Sequence, residues 1–143
     1  MTMIDSSSQD RSSALHRRSI VIDALAVSRF DRAHLEKMRA GGVTAANSTV
    51  VMPGANFRQS VDGIREFDAL IEKNSDIAMQ VLTAGDIERA KAAGKVGIIY
   101  GFQNAVALEG DPRLVKVFHS LGVRVIQLTY MTANVIGDGC LEP

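Results

Sequence analysis

Polar side chains follow several apolar runs of this sequence, at the points where buried strands would end. Residues 96–100 form such a run, and Gln103 and Asn104 come just after it. Folds of parallel strands build their sites beyond the carboxyl ends of the strands, so this set suits a small polar ligand. Gln103 and Asn104 have two interpretations, as ligand contacts or as caps of a loop. The strand-end polar residues are Asp23, Ser28, Asn47, Gln103, Asn104, Tyr130 and Asn134.

Groups that could support hydrolysis directly are few. Hydrolytic chemistry needs a metal site, a nucleophile with a base, or paired carboxylates. His16 falls in a Ser- and Arg-rich segment, and His34 and His119 fall on predicted helices, which favours surface or packing roles. The sequence has no His-x-His, His-x-Asp, His-Glu-x-x-His, Gly-x-Ser-x-Gly or P-loop pattern. Asp23 could bind a metal or accept backbone N–H bonds, and Cys140, with no histidine near it in sequence, is interpreted as a buried or idle thiol.

Composition limits the classes of partner. The formal net charge of the 143 residues is +0 and aromatic residues make up 5%, which argues against nucleic-acid and anionic-membrane partners. One cysteine excludes an internal disulfide framework and favours a cytoplasmic, reduced setting. No segment approaches the ~20 apolar residues of a membrane span. Residues 1–18 are rich in Ser, Asp and Arg and lack an apolar signal region, so we predict a disordered lead-in there, with at most a frayed helical turn around residues 14–17.

Four strands alternate with helices along residues 19–143. Helix caps are predicted at Asp31, Ser60, Thr83 and Asp111, and the pair Gly41 and Gly42 is predicted to end the first helix in the left-handed conformation. The predicted strands cover 19–23, 43–51, 96–100 and 123–129, and the predicted helices cover 32–40, 61–73, 84–93 and 112–121, with a brief extended piece over 77–82.

This alternation predicts an α/β fold with parallel strands and right-handed helical crossovers. About four strands are too few to close a barrel. We therefore predict that residues 19–143 form the N-terminal half of a (β/α)8 TIM barrel.

Four stretches together resemble the membrane (renal) dipeptidase family, the zinc peptidases of the amidohydrolase-type TIM barrels. The most specific is Leu-Gly-Val-Arg-Val-Ile-Gln-Leu-Thr-Tyr at 121–130 with Asn134, which resembles the family's Leu-Gly-x-Arg-x-x-x-Leu-Thr-His strand and its following Asn. Val-Ile-Asp-Ala-Leu-Ala-Val at 21–27 resembles the first-strand motif, in which Asp-Gly precedes His-x-Asp. Residues 42–46 and 83–95 resemble the second strand and the helix entering the third.

The resemblance implies a zinc cofactor, a dipeptide-like substrate and a set of site positions. The family's His-x-Asp metal pair falls on Leu25 and Val27, its metal-bridging Glu falls on Gln103, and its substrate-holding His falls on Tyr130. This implies a degenerate metal site, because Leu and Val offer no donor atom and an amide is a poor bridge. The predicted substrate-binding residues are Gln103, Asn104, Tyr130 and Asn134, and the candidate metal ligands are Gln103 and Asp23.

Two functions follow from these residues. The first is a dipeptidase-like metallohydrolase that cleaves dipeptides or related small amides with metal-activated water. The second is a non-catalytic relative that binds a small peptide-like ligand without metal. For the isolated chain we predict no turnover, and we expect it to self-associate or to be poorly soluble because a half barrel exposes strand edges.

Overall fold

The computed structural model describes residues 6–28 and 30–143, which form an α/β fold with one parallel sheet. The secondary-structure elements are α1 (Ser6–Arg18), β1 (Ile22–Ala26), α2 (Arg32–Ala40), β2 (Ala45–Thr49), α3 (Phe57–Lys73), β3 (Ala78–Gln80), α4 (Ala84–Ala93), β4 (Val96–Phe102), a 3-10 turn (Val106–Leu108), α5 (Leu114–Ser120) and β5 (Val123–Ile126).

The sheet is organised around β4, which has neighbours on both sides. Strand β2 pairs along one side of β4, and β1 pairs with the far side of β2. On the other side, β3 pairs with the first half of β4 and β5 pairs with its second half. Four strands in the order β1-β2-β4-β5 follow the chain, as consecutive barrel strands do, and β3 is a short additional strand.

The two faces of β4 have different surroundings. Val96, Ile98, Tyr100 and Phe102 alternate on the face that packs against the helices, and all four belong to the hydrophobic core. The Tyr100 hydroxyl donates to Oδ1 of Asp68 on α3 at 2.8 Å. Burial and this hydrogen bond to the carboxylate raise the pKa of Tyr100 above its usual range.

The opposite face of β4 faces the inside of the partial barrel. Its residues Gly97 and Gly101 pair with Ala45 and Thr49 of β2. A side-chain carbon on Gly101 would collide with the amide oxygen of Asn47, which fills that space. Small residues therefore let polar groups of β2 reach the interior close to the end of β4.

The segment preceding β1 is helical, whereas residues 1–18 are predicted to be disordered. Helix α1 covers Ser6–Arg18, and residues 1–5 lie outside the described residues. His16 is hydrogen-bonded through Nε2 to the carbonyl oxygen of Gly41 at 2.9 Å. This tertiary contact at the end of α2 is invisible to a composition argument, which explains the difference.

Several predicted boundaries also differ. Strand β4 does not end at Gly101 but continues to Phe102, because β2 and β5 supply hydrogen-bonding partners there. Strand β1 begins later than predicted, at Ile22. Gly42 (φ 78), not Gly41 (φ −74), adopts the left-handed conformation after α2.

Helix α3 begins one turn earlier than predicted. Asn56 and Gln59 form a capping box at its start, with each side chain accepting a backbone N–H of the other residue. Ser60, the predicted cap, is fully buried inside the helix. Helix α5 and strand β5 are shorter than predicted, covering Leu114–Ser120 and Val123–Ile126.

Two other helices agree with prediction at both ends. Helix α2 starts at Arg32 after Asp31, whose Oδ1 accepts the N–H of His34 at 2.8 Å. Helix α4 covers Ala84–Ala93 and ends at Gly94, which is left-handed (φ 63). Among the helices described, none combines the length and apolarity needed to cross a membrane.

Candidate functional site

A cleft of about 1270 Å³ opens at the carboxyl ends of the strands. Its floor and walls come from the segments that follow β1, β2, β4 and β5 and from one side of α3. The lining residues are Val27, Ser28, Phe30, Thr49, Val50, Val51, Met52, Pro53, Gly54, Ala55, Gln59, Asp62, Gly63, Glu66, Phe67, Leu70, Gln103, Tyr130 and Met131.

Gln103 lies in this cleft immediately after the last residue of β4. It is 6% exposed, and its amide nitrogen and oxygen are not among the buried side-chain atoms that lack a partner. An amide has both donor and acceptor atoms. Because Gln103 lines the cleft, its amide can pair with a ligand there.

Tyr130 lines the same cleft, four residues after the end of β5. Its backbone carbonyl accepts the N–H of Cys140 at 2.8 Å, which holds the segment after β5 in place. The structure therefore brings together Gln103 and Tyr130, which are far apart in sequence. Cys140 itself is exposed and has no disulfide partner among the described residues.

Asn104 and Asn134 hold turns and are not part of the cleft lining. Oδ1 of Asn104 accepts the N–H of Val106 at 3.1 Å. Asn134 donates from Nδ2 to the Leu128 carbonyl at 2.7 Å and accepts the N–H of Ile136 at 2.8 Å. The Asn104 amide thus makes the local hydrogen bond expected of a loop cap, which is the second interpretation given above, and Asn134 makes a similar local bond.

The segment that follows the first strand contributes the apolar side chain of Val27 to the cleft. Leu25 is 43% exposed and Val27 is 66% exposed, and Val27 lines the cleft. Asp23 is exposed on β1, outside the cleft lining, and its Oδ1 accepts the N–H of Leu25 at 3.1 Å. A carboxylate that accepts the backbone two residues ahead matches the second interpretation of Asp23.

These residues do not fit a zinc or other divalent metal ion. Zinc sites in proteins use Cys, His, Asp or Glu donors, usually three or four together. Within residues 6–28 and 30–143, no three such side chains lie close enough to hold a metal ion. Of Leu25, Val27 and Gln103, Gln103 alone has a donor atom, in its amide, since Leu25 and Val27 have none.

The structure adds site residues that we did not predict. Oδ1 of Asn47 and Oγ1 of Thr49 are buried without a hydrogen-bond partner in the described part of the chain. Both lie on β2, and Thr49 lines the cleft. Asp62 and Glu66 of α3 also line it, and both are exposed, as helical periodicity expects of the solvated face of that helix. A position over the ends of the strands depends on tertiary packing, and no local pattern reveals it.

The order of the strands, the cleft at their carboxyl ends and the segment after β5 can be compared with known proteins. The sequence profile of the family described as membrane dipeptidase (peptidase family M19) matches residues 2–143. The chain belongs to the membrane dipeptidase family. The predicted resemblance is thereby confirmed, and the match includes α1, which precedes the resemblance noted from motifs.

Solved structures show the same fold. An amidohydrolase from Pseudomonas aeruginosa is 45% identical, with a TM-score of 0.89 over 92% of this chain and 40% of that chain. The probable dipeptidase PvdM from Pseudomonas aeruginosa is 16% identical, with a TM-score of 0.72 over 87% of this chain and 38% of that chain. Dipeptidase AC, a metallopeptidase of family M19, is 16% identical, with a TM-score of 0.62 over 76% and 42%.

The chain spans 40% of the length of the amidohydrolase. Its sheet is a partial TIM barrel, which confirms the predicted fold class. A comparison with curated proteins finds no match.

Proposed function

We propose that this chain forms the first half of a dipeptidase-like hydrolase barrel and that its own contribution is the cleft that binds a small peptide-like amide. The observation that carries the proposal is that Gln103 and Tyr130 both line the cleft at the carboxyl ends of the strands. Membership of the membrane dipeptidase family supports amide substrates of this size.

The side-chain chemistry of the two residues suits a peptide group. The Gln103 amide can donate to a carbonyl oxygen through Nε2 and accept an N–H through Oε1, which is the pattern that a peptide bond complements. The Tyr130 hydroxyl can donate to the same carbonyl oxygen, including an oxyanion that develops when the carbonyl is attacked. Gln103 and Tyr130 would therefore orient an amide and polarise it.

The metal centre is the second part of the proposal. In the family that this chain resembles, bound zinc activates the water that attacks the amide. Leu25, Val27 and Gln103 occupy the positions of three zinc ligands and do not fit that ion, so we assign no hydrolytic step to this half of the barrel.

A non-catalytic barrel is the second candidate function. The observation that favours it is the pair Leu25 and Val27, which places apolar side chains where the family has charged or imidazole ligands. Burying a charge without a partner is costly, so a barrel with Leu and Val at these positions needs no metal to be stable.

Elemental analysis of the native-length protein separates the two candidates. About one zinc per chain together with chelator-sensitive hydrolysis of dipeptides would support the hydrolase, with ligands supplied by other parts of the barrel. A folded protein without zinc that binds N-acetyl-glycyl-glycinamide but does not cleave it would support the binding protein.

A matched pair of variants tests the cleft itself. Gln103→Met keeps the length of the side chain and removes the amide, and Gln127→Met makes the same change outside the cleft lining. We expect Gln103→Met to weaken amide binding about tenfold and Gln127→Met to leave it unchanged. Equal affinities of both variants and the unmodified protein would refute the proposed site.

A further inference from the structure

Strand β1 contains one more residue than β2 over the same length of their ladder. Asp23 pairs with Ala46 and Ala26 pairs with Ser48, so three steps along β1 match two steps along β2. One extra residue on one strand of a pair is a β-bulge, and bulges beside binding sites change the direction of nearby side chains. The bulge lies between Asp23 and Ala26.

The bulge decides which residue at the end of β1 faces the cleft. Ala26 is 6% exposed and belongs to the hydrophobic core, whereas Val27 is 66% exposed and lines the cleft. Successive residues of a strand point to opposite faces, so removing one residue from the ladder exchanges the two faces. Without the bulge, Ala26 would face the cleft and Val27 would face the core.

Two side chains make hydrogen bonds to the backbone of the bulge. Nδ2 of Asn47 donates to the Ala24 carbonyl at 2.9 Å. Oδ1 of Asp23 accepts the N–H of Leu25 at 3.1 Å. Asp23 belongs to β1 and moves with it, whereas Asn47 belongs to β2. Of these two residues, Asn47 is therefore the one that fixes the bulge relative to the rest of the sheet.

Strand β4 in turn limits the orientation of the Asn47 amide. The amide oxygen fills the space that a side-chain carbon on Gly101 would need. This oxygen is buried and has no hydrogen-bond partner in the described part of the chain. An unpaired buried acceptor is costly, so the bond from Nδ2 to Ala24 is the polar contact that supports this orientation of the amide.

We propose that Asn47 is a positioning residue, whose amide fixes the bulge of β1 and thereby turns Val27 rather than Ala26 towards the cleft. Gly101 completes the arrangement, because its lack of a side chain leaves room for the amide. The effect of this positioning on ligand binding rests on the proposed amide-binding function, whereas the orientation of β1 can be measured without any ligand.

Cysteine labelling of the 143-residue chain measures that orientation. In a Cys140→Ser background, which removes the one native thiol, Val27→Cys should react rapidly with N-ethylmaleimide and Ala26→Cys should react at least about tenfold more slowly. Adding Asn47→Ala should raise the rate at Ala26→Cys and lower the rate at Val27→Cys, each about fivefold, because the two residues exchange faces.

A general loosening of the strand gives a different result. It would raise the rate at Ala26→Cys without lowering the rate at Val27→Cys, and this outcome, like unchanged rates, would overturn the inference. Ser48→Ala is the matched control on β2. Its hydroxyl is buried without a partner in the described residues, so its removal costs no hydrogen bond to β1 and should leave both rates unchanged.

Gly101→Ala provides a second measurement that needs no cysteine in β1. Its methyl group should displace the Asn47 amide and speed hydrogen exchange of the backbone N–H groups of residues 24–27 about tenfold. In an Asn47→Ala background the collision is absent, and Gly101→Ala should change the exchange little. Equal effects of Gly101→Ala in both backgrounds would show that the two residues are not coupled and would also overturn the inference.

Titration of the native-length protein with N-acetyl-glycyl-glycinamide separates this inference from the function on which it rests. We expect Asn47→Ala to weaken binding of this amide about fivefold. An exchange of labelling rates in a protein that does not bind the amide would refute the proposed function and support the positioning role. Binding of the amide without that exchange of rates would refute the positioning role alone.

Discussion

Strands β4 and β1 both end at the candidate site, but they are held very differently. Residues Val96 and Ile98 of β4 are fully buried, with β2 on one side and β3 and β5 on the other. On β1, Ile22 is 48% exposed and Leu25 is 43% exposed, and β2 is the neighbour with which the strand pairs in the sheet. The sheet therefore has a tightly packed centre and a loosely held edge.

The chemistry of the site follows the same division. The centre delivers Gln103, a polar group fixed in a buried position. The edge carries Leu25 and Val27, which expose apolar surface and offer no donor atom. Under the proposed function, ligand recognition depends on the centre, and the metal-ligand positions that the resemblance implies lie mainly at the edge.

Truncating one isoleucine on each strand tests the structural half of this comparison. Ile98→Ala on β4 should lower the free energy of unfolding by about 2 to 5 kcal/mol, because a fully buried side chain leaves a cavity. Ile22→Ala on β1 should cost about 0.5 kcal/mol, because nearly half of that side chain is already exposed.

Urea unfolding of the 143-residue chain at concentrations where it is monomeric measures both values. Equal losses for the two variants would contradict the distinction between centre and edge. A larger loss at Ile22 would reverse it.

Introducing the three zinc-ligand types that the family resemblance implies tests the chemical half of the comparison between β4 and β1. Leu25→His, Val27→Asp and Gln103→Glu together supply three donors of the kinds that bind zinc. We expect the triple variant to bind zinc at least about tenfold more tightly than the unmodified chain. Competition with a chromophoric chelator measures the affinity.

The single variant Gln103→Glu is the matched control for this restoration. One carboxylate without donors on β1 should leave zinc affinity close to that of the unmodified chain. If Gln103→Glu alone reached the affinity of the triple variant, β1 would have no part in the metal site.

Features set by local chemistry could be predicted from the sequence, and features set by packing could not. Asp31 and Gly94 mark the ends of α2 and α4 because caps depend on neighbouring residues alone. The end of β4 was predicted wrongly at Gly101, because its ladder continues through strands distant in sequence. Two residues can also compete to cap the same helix. The capping box at Asn56 sets the start of α3, and Ser60, the predicted cap, lies inside the helix.

The candidate site shows the same limit. Gln103 and Tyr130 were predicted because they follow strands, and all carboxyl ends of a parallel sheet meet at one edge. Helical periodicity places Asp62 and Glu66 on the solvated face of α3, and both are exposed there. Periodicity does not show that this part of α3 also lines the cleft, because that depends on how α3 packs in the fold.

The cap of α4, the helix that precedes β4, provides a smaller, pH-dependent test of what stabilises the centre of the sheet. Asp86 accepts the Thr83 hydroxyl at 2.9 Å and the N–H groups of Leu82 and Thr83, and it also pairs with Arg89. The Thr83 hydroxyl, then the two N–H groups and the Arg89 charge, hold the pKa of Asp86 below its usual value. Because the folded state lowers this pKa, the ionised carboxylate stabilises the fold above about pH 4, and this contribution is lost as the pH falls through the lowered pKa.

Asp86→Asn should therefore cost about 1 kcal/mol at neutral pH, and the gap to the unmodified chain should close in acid. Asp31→Asn, at an exposed cap, is the matched control and should have little effect because Asn caps as well as Asp. A gap at Asp86 that stays constant from neutral pH to about pH 2 would contradict this role of the carboxylate.

Self-association through the edge strand gives the smallest expected effect. The chain exposes the apolar side chains of Ile22, Leu25 and Val27 on and just after β1, and an unprotected strand edge invites pairing between copies. Leu25→Lys places a charge there and should weaken self-association about threefold in sedimentation velocity. Leu15→Lys makes the same change on α1, where the leucine is 59% exposed, and should leave self-association unchanged.

A monodisperse monomer of the unmodified chain at moderate concentration would show that the edge is not a pairing surface. Equal weakening by both variants would indicate a general effect of charge.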